Sequence, residues 1–312
     1  MRFVFHLLLC SLLVVILPQC SPSQDPPPKG TLREARQHFA TSLTRHDRLN
    51  EPPPDPPTGI LQLVRYTSPA GKLAAYVGSD PGDGLRHPAI LWLTGGFSSS
   101  ISEVAWTPGP EKNDQSATAF REAGLIMMYP SYRGGNDNPG DPEGFYGEVD
   151  DVLSAAVYLS SLSYVDPNRI YLAGHSTGGT LALLAAECST RFRAVFAFGP
   201  VADVAGYGAE NLPFDLKDPR EFELRAPGRW LHCITTPTFV LEGHNRSNVS
   251  DVLQMANSPH PAAVQFHLVK HADHFSVLQP LTRVIAKKIV QDTGPEVVMT
   301  FPDDELAAAF HP

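Results

Sequence analysis

A serine flanked by glycines, set between a β run and a strong helix former, leaves this chain few ways to fold. Arg169-Ile170-Tyr171-Leu172-Ala173 reads as a strand, Gly174-His175-Ser176-Thr177-Gly178-Gly179 follows, and Thr180-Leu181-Ala182-Leu183-Leu184-Ala185-Ala186 reads as a helix. Gly-x-Ser-x-Gly alone says little, because both residues are common; strand, turn and helix around it make the match specific. A sharp strand-to-helix turn strains the backbone at its apex, and side chains two residues to either side would strike the neighbouring strand and helix. Gly174 and Gly178 remove both clashes. The turn then presents the Ser176 hydroxyl at the positive end of a helix, where developing negative charge is favoured. Ser176 is the candidate nucleophile.

Apolar runs and helical patterns alternate around this turn. Strands are expected over residues 61–67, 73–78, 89–94, 125–130, 169–173, 194–199, 238–243 and 264–270, and helices over 114–123, 147–162, 177–188 and 277–292. The first two strands read as an antiparallel hairpin turning at Ser68-Pro69-Ala70-Gly71. Short, near-continuous apolar strands separated by helices imply a buried parallel sheet covered on both faces. The expected architecture is an α/β-hydrolase fold with a mostly parallel eight-stranded sheet. No internal repeat is present.

Acyl transfer at Ser176 needs donors for the tetrahedral oxyanion. The backbone N–H of Thr177 supplies one, and Gly96 and Phe97, in the Gly-Gly-Phe turn after the 89–94 strand, are candidates for the other. The base follows the last strand, where His271 and His274 compete. His274 stands immediately before the final helical pattern, the position that the chain order serine, acid, histidine requires, and is favoured.

Together, Tyr66 to Tyr76, Leu93-Thr94-Gly95-Gly96-Phe97, Tyr132-Arg133-Gly134-Gly135, Gly147-Glu148-Val149-Asp150-Asp151-Val152 and Gly174 to Gly179 resemble the catalytic domain of the prolyl oligopeptidase (S9) group, over roughly residues 60–290. The resemblance implies hydrolysis of an ester or small peptide bond through an acyl-enzyme. It also implies two departures. The full-length peptidases carry a β-propeller for which this chain has no room, so any selection by substrate size falls to local loops. The family pattern expects an aspartate three residues past Gly243, where this sequence has Arg246. Glu242, at the end of the same strand, and Asp203, after the preceding strand, are both candidates to orient His274, whereas Asp251 reads as a cap or first-turn residue. Asp150 and Asp151 read as helix-dipole partners and Glu148 as a turn-stabilising residue. Residues 204–236 form the main insertion; Tyr207, Phe214 and Trp230 from it, with Trp106, are expected to line an acyl pocket. A second class of function follows from the same departure: a weakly active binding protein whose acid position has decayed.

Composition narrows the partners. A net charge of −9 without a clustered basic patch gives no support to nucleic-acid binding. His38, His46 and His232 lack ligand spacing, so neither metal nor cofactor is inferred. The expected partner is a small ester or peptide substrate. Met1-Arg2 followed by an apolar run over residues 3–17 has the length of a signal-peptide core, which predicts export to a periplasmic, envelope-anchored or secreted location. Leu17-Pro18-Gln19-Cys20 shares only its leucine and cysteine with a lipobox, so residues 1–20 read either as an ordinary signal peptide or as a leader lipidated at Cys20 for membrane attachment. Residues 21–57 read as a Pro-rich tether with an amphipathic helix over 31–46; five prolines in residues 51–57 place the start of the catalytic domain, 58–312, just after them. Cys188 and Cys233 sit in apolar contexts typical of buried thiols.

Overall fold

The computed structural model describes residues 26–245 and 247–310. The expected leader and Arg246 lie outside them. Among the described residues eight strands form one sheet: β1 (Leu61–Ser68), β2 (Gly71–Gly78), β3 (His87–Leu93), β4 (Ile126–Pro130), β5 (Val165–His175), β6 (Val195–Phe198), β7 (Thr238–Asn245) and β8 (Val264–Asp273), in the order β1-β2-β4-β3-β5-β6-β7-β8. β1 pairs with β2, and β2 with β4, antiparallel; every other pairing is parallel. The interior strands are apolar throughout because both their faces are covered: every residue of β4 and of β6 is buried. All eight expected strands are present, with ends shifted by a few residues.

The helices are α1 (Leu32–Arg36), α2 (Ala119–Glu122), α3 (Gly147–Ser160), α4 (Thr177–Cys188), α5 (Pro219–Glu223), α6 (Pro227–Trp230), α7 (Val249–Ala256), α8 (Leu278–Gln291) and α9 (Asp303–Ala308). One face of the sheet carries α3 and α4, the other α2 and α8. α8 buries Leu278, Leu281, Thr282, Ile285, Ala286 and Ile289, a stripe at spacings of three and four. The helix expected over 114–123 is shorter. The Asp114 carboxylate accepts from the N–H groups of Gly109 and Ser116 and from the Ser116 hydroxyl, an alternative to helix that aspartate and serine favour, so regular turns begin only at Ala119.

The helix expected over 31–46 is shorter too. α1 starts with a Thr31–Glu34 capping box and stops at Arg36. Beyond it the backbone turns its hydrogen bonds outward to the 204–236 insertion: Ser42 N–H donates to Glu221 Oε1 (2.6 Å), Thr44 N–H to the Pro213 carbonyl (2.7 Å), and Leu43 bridges Phe214. Further on, Leu49 N–H donates to the Gly134 carbonyl and the Tyr76 hydroxyl to the Pro54 carbonyl. Residues 31–57 are thus a strap laid along the hydrolase, not a segment held apart from it. The reason lies in α4, every residue of which is buried. A helix buried on all sides needs a second cover, and Leu32 of the strap with Trp230 and Leu231 of the insertion supply it. Complete burial of Leu32 alone contributes about 1.5–3 kcal/mol.

Candidate active site

Ser176 stands between β5 and α4 with φ 55° and ψ −115°, a conformation that costs a non-glycine residue on the order of 1–3 kcal/mol. The surroundings enforce it. Ser176 N–H donates to the Phe198 carbonyl (2.7 Å), and a Cβ added at Gly174 would run into the Gly178 carbonyl, one at Gly178 into the Leu93 carbonyl. Beside the serine, Gly95 spends its N–H on Gln115 Oε1 (3.2 Å), and the Thr177 hydroxyl donates to the Gly96 carbonyl (2.6 Å). That bond ties the two turns together. The amides of Gly96, Phe97 and Thr177 have no acceptor among the described residues, so the three candidate donors remain available to an oxyanion.

His274 follows β8 in a tight turn. Asp273 Oδ1 accepts from the N–H groups of Phe275 (3.0 Å) and Ser276 (2.8 Å), and Ser276 Oγ accepts from Asp273 N–H. His274 is buried whereas His271 is exposed, with φ 66°. His274 Nδ1–H donates to Glu242 Oε2 at 2.8 Å, and the fully buried Glu242 also accepts from Gly243 N–H at its other oxygen (2.7 Å). A Cβ on Gly199, whose φ is +54°, would strike both partners, so the pair exists because that residue is glycine.

Asp203, the other candidate acid, is committed elsewhere: it caps the short 3₁₀ turn Val204–Tyr207, accepting from Ala205 N–H at 2.8 Å. The imidazole Nδ1 is already paired with Glu242. Asp251 holds the same region by accepting from Ala202 N–H.

A residue that sequence reasoning passed over links nucleophile and base. His175, fully buried, accepts from the Gln115 amide at Nδ1 (2.8 Å) and donates from Nε2 to the His274 carbonyl (2.8 Å). Its ring lies 4.4 Å from that of His274. Burial, then the nearby His274, push the His175 pKa down to about 3, so it stays neutral and keeps this one tautomer.

The four expected pocket residues separate. Tyr207 reaches the site: its hydroxyl is 2.6 Å from Thr180 Oγ1, and its ring stacks on Phe145 and meets Phe97 edge-on. Burial raises its phenol pKa, while the side chains of Thr180 and Ser176 act in the opposite sense. Trp106 instead packs against Tyr76 on the α2–α8 side of the sheet. Phe214 and Trp230 are completely buried, the first against Phe222 and Arg225, the second over α4 with its indole N–H on the Glu223 carbonyl. Large aromatics in an insertion looked like pocket walls; these two anchor the insertion.

A cleft of about 340 Å³ adjoins the site along Gly96, Phe97 and Thr177. Glu148 lines it, with Oε1 accepting from Glu143 N–H (2.6 Å), the turn role expected of it; burial pushes its pKa up to about 7. Asp150 and Asp151, expected at the helix dipole, do stand near the start of α3, and both also make ion pairs. Asp150 meets Arg36 of the strap, and the fully buried Asp151 accepts from Arg133 Nε, Nη2 and N–H, all at 3.0 Å, which clamps the loop forming one side of the cleft. Cys188 and Cys233 are free thiols, the first buried and the second half-buried.

A mostly parallel sheet carrying a strained serine at a strand-to-helix turn, with a buried histidine–carboxylate pair beside it, defines a serine hydrolase of the α/β-hydrolase fold. Residues 112–280, more than half of the chain, match the prolyl oligopeptidase family, and the chain belongs to that family. An uncharacterized peptidase of Bacillus subtilis (strain 168), YtmA, is 26% identical over 217 residues, which span 61% of this chain and 80% of that one. Among solved structures, a puromycin-hydrolyzing peptidase of Mycobacterium tuberculosis is similar over 74% of this chain and 39% of its own (TM-score 0.58, 20% identity). An acylaminoacyl peptidase of Pyrococcus horikoshii is similar over 79% and 43% (TM-score 0.60, 14% identity). A Pyrobaculum calidifontis esterase is similar over 83% and 88% (TM-score 0.53, 15% identity). At these identities the structures share the fold, and the chain spans well under half the length of the two solved peptidases.

Proposed function

We propose that the protein hydrolyses a carboxylic ester or a small peptide or amide bond through an acyl-enzyme on Ser176. His274 takes the serine proton as the hydroxyl attacks the carbonyl carbon and returns it to the leaving group; water then repeats the cycle on the acyl-enzyme. Glu242 holds the imidazole in the tautomer whose Nε2 accepts a proton and stabilises the imidazolium once it forms. The amides of Thr177 and of the Gly96-Phe97 turn receive the oxyanion, helped by the positive end of α4. The observation that carries this reading is the buried 2.8 Å bond between His274 Nδ1 and Glu242 Oε2. It also argues against a decayed, non-catalytic protein, because a carboxylate serves the imidazole although position 246 is arginine. The test is labelling by a fluorophosphonate together with turnover of p-nitrophenyl esters and aminoacyl-naphthylamides. Both activities should vanish in Ser176→Ala at an unchanged thermal midpoint; labelling that survives in this variant removes Ser176 from the mechanism.

We further propose export, which the apolar run over residues 3–17 supports. Expressed in a bacterium, the protein should fractionate with the envelope or medium, and Cys20→Ser should release an envelope-bound form if that cysteine is lipidated. A full-length cytosolic product starting at Met1 contradicts export.

A further inference from the structure

We infer that the N-terminal strap is a length stop for the substrate, an inference that rests on Ser176 being the nucleophile. The cleft lined by Gly96, Phe97 and Thr177 is lined on its strap side by Arg45, Asp47 and Leu49. Its volume of about 340 Å³ lies at the low end of the roughly 300–1,000 Å³ of small-molecule sites. One short segment of chain, remote in sequence from the nucleophile, therefore sets how far a substrate extends on this side.

The strap is held as a fixed wall. Asp215 N–H donates to the Ser42 carbonyl (2.8 Å), Thr44 N–H to Pro213 (2.7 Å) and Leu49 N–H to Gly134 (2.8 Å), so the stop is pinned on both sides of Arg45.

The chemistry of the wall defines what it stops. Arg45 Nε lies 3.3 Å from Asp47 Oδ2, and its Nη1 donates to the Glu210 carbonyl at 2.6 Å, so its charge is already answered. The rim is apolar on both sides: Leu49 is 48% exposed on the strap and Phe97 52% exposed on the oxyanion turn. Phe145 and Leu181 also line the cleft, as does the buried Glu148 carboxyl. The apolar part of this space, Leu49, Phe97, Phe145 and Leu181, accepts an uncharged acyl or alkoxy chain of limited length, and the acidic residues of its lining disfavour a carboxylate.

The experiment compares chain-length profiles of kcat/KM in two series, p-nitrophenyl esters from acetate to dodecanoate and acetates of the corresponding primary alcohols. In one series the wild type should show a cut-off. Leu49→Ala and Arg45→Ala should each move it to longer chains, raising kcat/KM for the first excluded ester by about tenfold or more, through KM, the order that a methylene or two commands in an apolar pocket. Leu49→Trp should move it to shorter chains. Leu49 is half-exposed, so these changes leave the fold in place. Profiles in both series that are identical across the variants overturn the length stop, and fluorophosphonate labelling of Ser176 in the same samples then leaves the hydrolase reading standing. Absence of labelling in the wild type takes down both.

Discussion

At the scale of single residues, the nucleophile was legible because everything that identifies it is local: a β run, a turn with glycines two residues to either side, and a helix former. The acid was not. Glu242 reaches His274 only because β7 and β8 lie side by side in the register Glu242↔Leu268 and because Gly199, on a third strand's end, leaves room for the pair. No spacing in the chain encodes that three-way meeting, so the sequence alone leaves Asp203 level with Glu242, and the Asp203 cap on Ala205 separates them. His175 went unread for a similar reason, since its partners Gln115 and His274 lie 60 and 99 residues away. Its depressed pKa has a consequence for stability. The unfolded histidine, with its ordinary pKa of 6.5, binds a proton that the folded one refuses down to about 3. The stabilising contribution is therefore complete above about pH 6.5 and is lost progressively as the pH falls toward 3. Across that window the thermal midpoint of the wild type should fall more steeply than that of His175→Gln, measured by calorimetry. Parallel curves would show that His175 titrates normally in the folded protein.

At the scale of elements, the strands were readable because runs buried on both faces must be apolar, and α8 because its stripe follows the helical period. The strap was misread as helix to residue 46 because Leu32, Ala35, Phe39 and Leu43 recur at spacings of three and four, whereas beyond Arg36 its hydrogen bonds go to Pro213, Glu221 and Gly134. A signal was present in α4, whose run of small and apolar residues from Leu181 to Ala186 called for a cover beyond the sheet. The loop from Ser131 to Tyr146 depends on another contact invisible in sequence, the buried Arg133–Asp151 pair, which also takes in Ser68 of the β1–β2 turn. Asp151→Asn should cost on the order of 3 kcal/mol in urea denaturation, because it removes the buried one of the two carboxylates that answer the Arg133 guanidinium, Glu143 being the other. A loss below about 1 kcal/mol would mean that the loop holds its shape through its remaining contacts, Asn136, Asn138 and the Arg133–Glu143 pair among them.

At the scale of the whole molecule, the sheet brings the ends of β3, β5, β7 and β8 to one edge, where turn, nucleophile, acid and base meet, and the strap and the 204–236 insertion close over that edge from the α4 side. A serine hydrolase is thus assembled from segments spread between residues 45 and 274, with Glu242 serving the histidine although arginine stands where the family pattern has its acid. The direct test of that claim sets two variants side by side, each with kcat and thermal midpoint measured. Glu242→Gln should fold and lose turnover, by as much as roughly 10⁴-fold where an amide imposes the wrong histidine tautomer. Asp203→Asn should keep near-wild-type kcat, with at most about 1 kcal/mol lost from a turn cap. Near-wild-type turnover in Glu242→Gln, or a loss confined to Asp203→Asn, would contradict the assignment of Glu242.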